Sequence, residues 1–115
     1  EPNRQFSTVI KYSTEIRTKN HNVGKQVAKY NTNKSLLFEY TFDGSSGTNF
    51  GNFIERNIVF RLKGSAGDKT GRSSKEGSVI IVNGSSGNLT AQSSQGKLFI
   101  AGAAGHKSFY HFQGQ

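Results

Sequence analysis

The chain has 115 residues and a formal net charge of +8, from 15 Lys+Arg against 7 Asp+Glu, and it contains no Cys, Met or Trp. Its length bounds it to one domain, and the missing Cys excludes a disulfide framework, a thiolate metal site and a cysteine nucleophile. The basic excess points to acidic partners (nucleic acid, an anionic membrane surface or an acidic protein), with solubility alone as the competing explanation.

The absence of Met is expected of a processed or trimmed chain. No apolar run approaches the roughly 20 residues of a membrane span, and no signal-peptide pattern opens the sequence. The expected location is therefore intracellular, with a plastid or mitochondrial subunit as the specific form of that expectation.

Residues 1–34 are expected to form an N-terminal cap segment ahead of a repeat region at 35–115. Residues 6–12, FSTVIKY, are β-branched and aromatic and predict a strand. Asn20, His21 and Asn22 form a turn cluster. Apolar residues at Val23, Val27 and Tyr30 have helical spacing, so Val23–Tyr30 is either a short helix or an irregular first coil.

From residue 35 a period takes over. Gly44-Ser-Ser-Gly47, Gly64-Ser-Ala-Gly67, Gly84-Ser-Ser-Gly87 and Gly102-Ala-Ala-Gly105 are versions of one phrase, the first glycines recurring after 20, 20 and 18 residues. Before each phrase the sequence alternates with period two. Phe38, Tyr40 and Phe42 fall on one side of a strand, followed by Ile58, Phe60 and Leu62, then Ile80 and Val82, then Leu98 and Ile100. A glycine phrase in constant phase with these strands predicts a parallel β-helix, a single-stranded solenoid of about 20 residues per coil. Its corners are expected at Gly44, Gly47, Gly51, Gly64, Gly67, Gly71, Gly84, Gly87, Gly102 and Gly105, where the chain turns sharply and successive coils approach. The aromatic tail Phe109-Tyr110-His111-Phe112 is the expected cap at the far end.

The stretch from Gly44 through Phe50, Gly51 and Phe53, with Gly64, Asp68 and Gly71 after it, resembles the GXGXG domain. That domain lies at the C-terminus of the large subunit of glutamate synthase, and the same type of domain is found in formylmethanofuran dehydrogenase. Here Gly67-Asp68 replaces the family's Asn-Asp pair, and its later Gly-Gly is reduced to Gly77. The resemblance implies a right-handed parallel β-helix acting as a scaffold, without catalytic residues, cofactor or metal of its own.

The residues carry no independent chemistry. Residues 64–70 superficially suggest a phosphate loop, but Lys63 and Asp68 stand where the Walker pattern needs glycine. His21, His106 and His111 match no zinc spacing, and the carboxylates are scattered singly. Two surfaces stand out. Lys34, Arg56, Lys75 and Lys97 each precede a strand and are a candidate basic edge, against the plainer reading of solvated corners. Val59, Val79, Ile81 and Phe99 are apolar at outward strand positions, which marks a docking face. The expected function is a non-catalytic accessory subunit that docks on the protein subunits of a larger complex. The alternatives are a detached domain of a glutamate synthase-type oxidoreductase working with separate catalytic chains, and a basic nucleic-acid-binding module.

Overall fold

Strands form where apolar and other residues alternate, because one side of each strand is then excluded from water. The computed structural model describes residues 6–109. It contains, in chain order, β1 (Thr8–Ile16), α1 (Val23–Tyr30), β2 (Leu36–Gly44), β3 (Ile58–Leu62), β4 (Val79–Val82) and β5 (Lys97–Ile100). All five strands lie in one sheet, in sequential order, and every neighbouring pair is parallel. Like positions face each other across the pairs. Tyr12, Tyr40, Phe60, Ile80 and Leu98 form one column, and Thr14, Phe42, Leu62, Val82 and Ile100 form the next.

The inward columns bury the core. Phe42, Phe50 and Phe60 form an aromatic triangle with ring centroids 5.0 to 5.4 Å apart. Ile16, Ile54, Ile58, Leu62, Ala66, Ile80 and Val82 complete the cluster. Burying a side chain of this size contributes roughly 1.5–3 kcal/mol. Helix α1 covers part of this core with Val23, Val27 and Ala28, while Tyr30, at the end of the helix, is exposed.

The ends of α1 are held by asparagines. Asn52 Oδ1 accepts the Lys25 N–H at 2.8 Å, an N-terminal cap supplied from a distant turn. Asn31 ends the helix, and its side-chain amide donates to the Val27 carbonyl at 2.9 Å and to the Tyr40 hydroxyl at 2.7 Å.

The structure corrects the expected right-handed parallel β-helix. The described residues form a single five-stranded parallel sheet with one short helix, and no solenoid is shown. The strand expected in an N-terminal cap is a full member of the sheet, since β1 pairs with β2 along its whole length. The physical reason lies in the segments between strands. They place residues at positive φ two positions apart: Asn49, Gly51 and Phe53, then Lys69, Gly71 and Ser73, then Leu89, Ala91 and Ser93. Extended backbone cannot pass through such angles, so these segments make turns and no second sheet.

The turn segments nevertheless touch like to like. Gly71 N–H donates to the Phe50 carbonyl at 2.7 Å and Ala91 N–H to the Thr70 carbonyl at 2.6 Å. Serine Oγ atoms extend this between repeats: Ser45 accepts from the Ser65 N–H, Ser65 from Ser85 and Ser85 from Ala103, at 3.0 to 3.1 Å. Asp68 and Asn88 do the same one column over, accepting from the Asn88 and His106 N–H groups at 2.8 Å.

These contacts explain the glycine phrase better than backbone freedom does. Of the ten expected corner glycines, only Gly44, Gly51 and Gly71 have positive φ. At Gly47, Gly64, Gly67, Gly84, Gly87, Gly102 and Gly105 the requirement is room. A Cβ at Gly64 would fall on the Gly44 carbonyl oxygen, and one at Gly67 would stand 2.7 Å from the Gly47 oxygen.

Two predictions test this packing. Gly64→Val is expected to lower the melting temperature by several degrees, since the neighbour it meets is backbone that cannot rotate away; an unchanged melting curve would refute the close-approach argument. The second concerns pH. Burial raises the Tyr40 phenol above its ordinary value, opposed by the Asn31 hydrogen bond and helped by the neighbouring Tyr12. A raised value means that the fold binds the proton more tightly than the unfolded chain. The stabilisation is then complete below about pH 10 and is lost as pH rises through the folded-state value. Tyr40→Phe is therefore expected to flatten the loss of stability above about pH 10, read by urea denaturation at a series of pH values.

Candidate docking face

The sheet's outward face is set by the parity of its strands. Inward positions begin with Phe38, Tyr40 and Phe42, so Glu39 and Thr41 must point the other way. In-register pairing then builds two outward columns. One runs Lys11, Glu39, Val59, Val79, Lys97 and the other Ser13, Thr41, Arg61, Ile81, Phe99. Val59 pairs directly with Val79, and Ile81 with Phe99. The structure thus brings all four residues of the expected docking face onto one patch. Val59, Val79 and Ile81 are half-buried, and Phe99 is 53% exposed.

A charged rim surrounds the patch. Glu39 and Arg61 adjoin it on the β1 side, and Lys97 stands at the end of the valine column. Glu39 and Arg61 are not among the expected surface residues, although strand parity is the signal that finds them. Lys97, expected on the basic edge, belongs to this rim instead.

That edge does not form as one column. Lys34, Arg56 and Lys75 lie in the connecting segments ahead of strands, whereas Lys97 is a strand residue facing Val79. The backbone bonds from Lys75 N–H to the Ile54 carbonyl and from Gln95 N–H to the Ser74 carbonyl place Lys75 between Glu55 and Gln95. The charges at that level therefore alternate with other groups. Lys75 Nζ instead lies 5.9 Å from the Phe53 ring centroid, within cation–π range.

Two open depressions flank the sheet. The larger, about 500 Å³, lies at the β5 end and is lined by residues including Ile81, Leu98, Phe99 and Ile100. The other, about 450 Å³, is bounded by Glu15, Lys19, His21, Gln26 and Phe42. In it His21 Nδ1 accepts the Thr48 N–H at 2.9 Å, so in the neutral ring the proton sits on Nε2. His106 is exposed, and its backbone N–H, not its ring, makes the bond to Asn88. His111 and the aromatic tail from Tyr110 lie outside the described residues. Among the described residues, no three His, Asp or Glu side chains gather as a metal site would require, and no helix is long and apolar enough to cross a membrane.

Set against known protein families, curated proteins and solved structures, the chain matches none. The likeness to the GXGXG domain therefore rests on its own residues.

Adjacent isoleucines test the assignment of faces. Ile80→Ala, in the core, is expected to destabilise the fold by about 2–5 kcal/mol. Ile81→Ala, on the outward face, is expected to change stability by less than about 1 kcal/mol. Equal losses on chemical denaturation would mean that the outward face is not outward.

Proposed function

We propose that the chain is a non-catalytic accessory subunit that docks on a larger protein through the outward face of its sheet. One observation carries this reading. Parallel sheets occur almost always with both faces covered, whereas here α1 packs on the inner side and Val59, Val79, Ile81 and Phe99 remain together on the other. An apolar patch with a charged rim is the composition of a protein interface, where apolar contacts supply area and the rim sets orientation. Glu39, Arg61 and Lys97 offer both signs of charge at that rim, which favours a protein surface over the uniformly negative backbone of a nucleic acid. The dispersal of Lys34, Arg56 and Lys75 among other residues weakens the nucleic-acid alternative further.

The test is affinity purification of the tagged chain from its native source beside a Val79→Glu, Ile81→Glu double variant. A stoichiometric protein partner is expected with the parent chain and is expected to be lost in the variant, with far-UV circular dichroism unchanged. Retention of the same partner by a folded double variant, or a parent chain that purifies alone, would overturn the reading.

A further inference from the structure

We propose that β5 is a self-pairing edge through which two copies of this chain join about a two-fold axis, continuing the sheet in antiparallel fashion. The two edges of the sheet differ. β1 presents the alternation TVIKYSTEI, exposed at every position except Ile10 and Ile16, with Lys11 and Glu15 along it. Charges of this kind protect an edge from pairing. β5 reads KLFI, has no Pro, and ends both inward columns at Leu98 and Ile100, each only partly buried. Among the described residues no strand lies beyond it.

The backbone decides how a second copy fits. Lys97 N–H donates to the Ser78 carbonyl and Ala101 N–H to the Val82 carbonyl. Strand geometry then turns the N–H and C=O groups of Leu98 and Ile100 toward the edge away from β4. In an antiparallel pair, residues that exchange both bonds must face each other. Setting Leu98 of one copy opposite Ile100 of the second satisfies this twice by symmetry. The same register places Phe99 opposite Phe99 at the close, non-hydrogen-bonded position. It joins inward apolar columns to inward apolar columns and keeps Lys97 away from its own copy.

The competing arrangement is head to tail, with β1 of a second copy laid on β5 in the sheet's existing register. It would set Lys97 opposite Lys11 and Phe99 opposite Ser13. Like charges directly opposed destabilise a pair, so the columns select the two-fold form. Four residues make a small interface, of the weak class. Each copy also carries +8, so the pair tightens as salt screens that repulsion, the reverse of the salt response of nucleic-acid binding.

The experiment is sedimentation velocity of the full chain, with disulfide trapping as a second readout. A reversible monomer–dimer equilibrium with Kd on the order of 100 μM is expected, tightening several-fold between about 50 and 500 mM salt. Ile100→Pro removes an outward N–H without touching the bonds to β4 and is expected to raise Kd at least about tenfold with circular dichroism unchanged. Because the chain has no Cys, Phe99→Cys introduces a lone thiol. Its opposed position is expected to give a disulfide-linked dimer under mild oxidation, while Ser13→Cys gives none. A chain that remains monomeric at millimolar concentration, or equal trapping at positions 13 and 99, overturns the proposal. Neither readout depends on the partner invoked for the outward face, whose test alters Val79 and Ile81.

Discussion

From β2 onward, positions one repeat apart lie side by side among the described residues. Pairing strictly in parallel and in register means that a side chain is chosen as much for its neighbour one repeat away as for its own strand. Tyr12 stacks on Tyr40 with centroids 4.8 Å apart, and Tyr40 meets Phe60 edge-on at 5.6 Å. Where the backbones come closest, only glycine leaves room, as at Gly64 over Gly44. Where they stand slightly further apart, a serine hydroxyl bridges the gap, as from Ser45 to Ser65 to Ser85. The glycine phrase, the serine ladder and the aromatic column are three answers to one steric demand, that a position must tolerate its own copy.

The same demand explains why the surface is uneven. A sheet that adds strands only at its ends has two faces and two edges to dispose of. The inward face is closed by aromatic side chains and by α1, and β1 is guarded by charge. The outward face and β5 lack such protection among the described residues, and both lie toward the C-terminal half, where Ile81, Leu98 and Phe99 are neighbours. Intramolecular ion pairing does little to neutralise the positive charge. Among the described residues there is one pair, Glu15 with Arg17 at 4.0 Å, and both groups are largely exposed. Such a pair contributes little.

The strands were legible in the sequence because period two is a local property. The alternation over residues 36–42, 58–62 and 79–82 is visible without knowing what each strand pairs with. So was the helical spacing at Val23, Val27 and Tyr30. The architecture between strands was not legible, because it depends on backbone angles that residue type constrains weakly. Phe53, Leu89 and Ala91 sit at positive φ, where nothing in their side chains announces it. Of the two reasons expected for the glycines, close approach between successive repeats holds for most of the phrase, and the left-handed backbone only for Gly44, Gly51 and Gly71. The outward placement of Val59, Val79, Ile81 and Phe99 was legible through parity alone. The basic edge did not form as a column because its residues are not equivalent positions: Lys75 lies beside Glu55 and Gln95, and Lys97 pairs with Val79.

The interior changes character along the chain. Phe50, Ile54 and Ile58 are succeeded one repeat later by Thr70, Ser74 and Ser78, and then by Thr90 and Ser94, all at most 2% exposed. Their hydroxyls are satisfied: Thr70 and Thr90 donate to the Gly67 and Gly87 carbonyls, Ser78 donates to the Lys75 carbonyl, and Ser74 and Ser94 share one hydrogen bond between their hydroxyls. Each exchange nonetheless gives up roughly 1.5–3 kcal/mol of apolar burial for a hydrogen bond contributing about 1 kcal/mol. The molecule therefore has a firm end and a soft end. Local opening is expected to begin at β5, with its amides exchanging with solvent before those of β2 and β3.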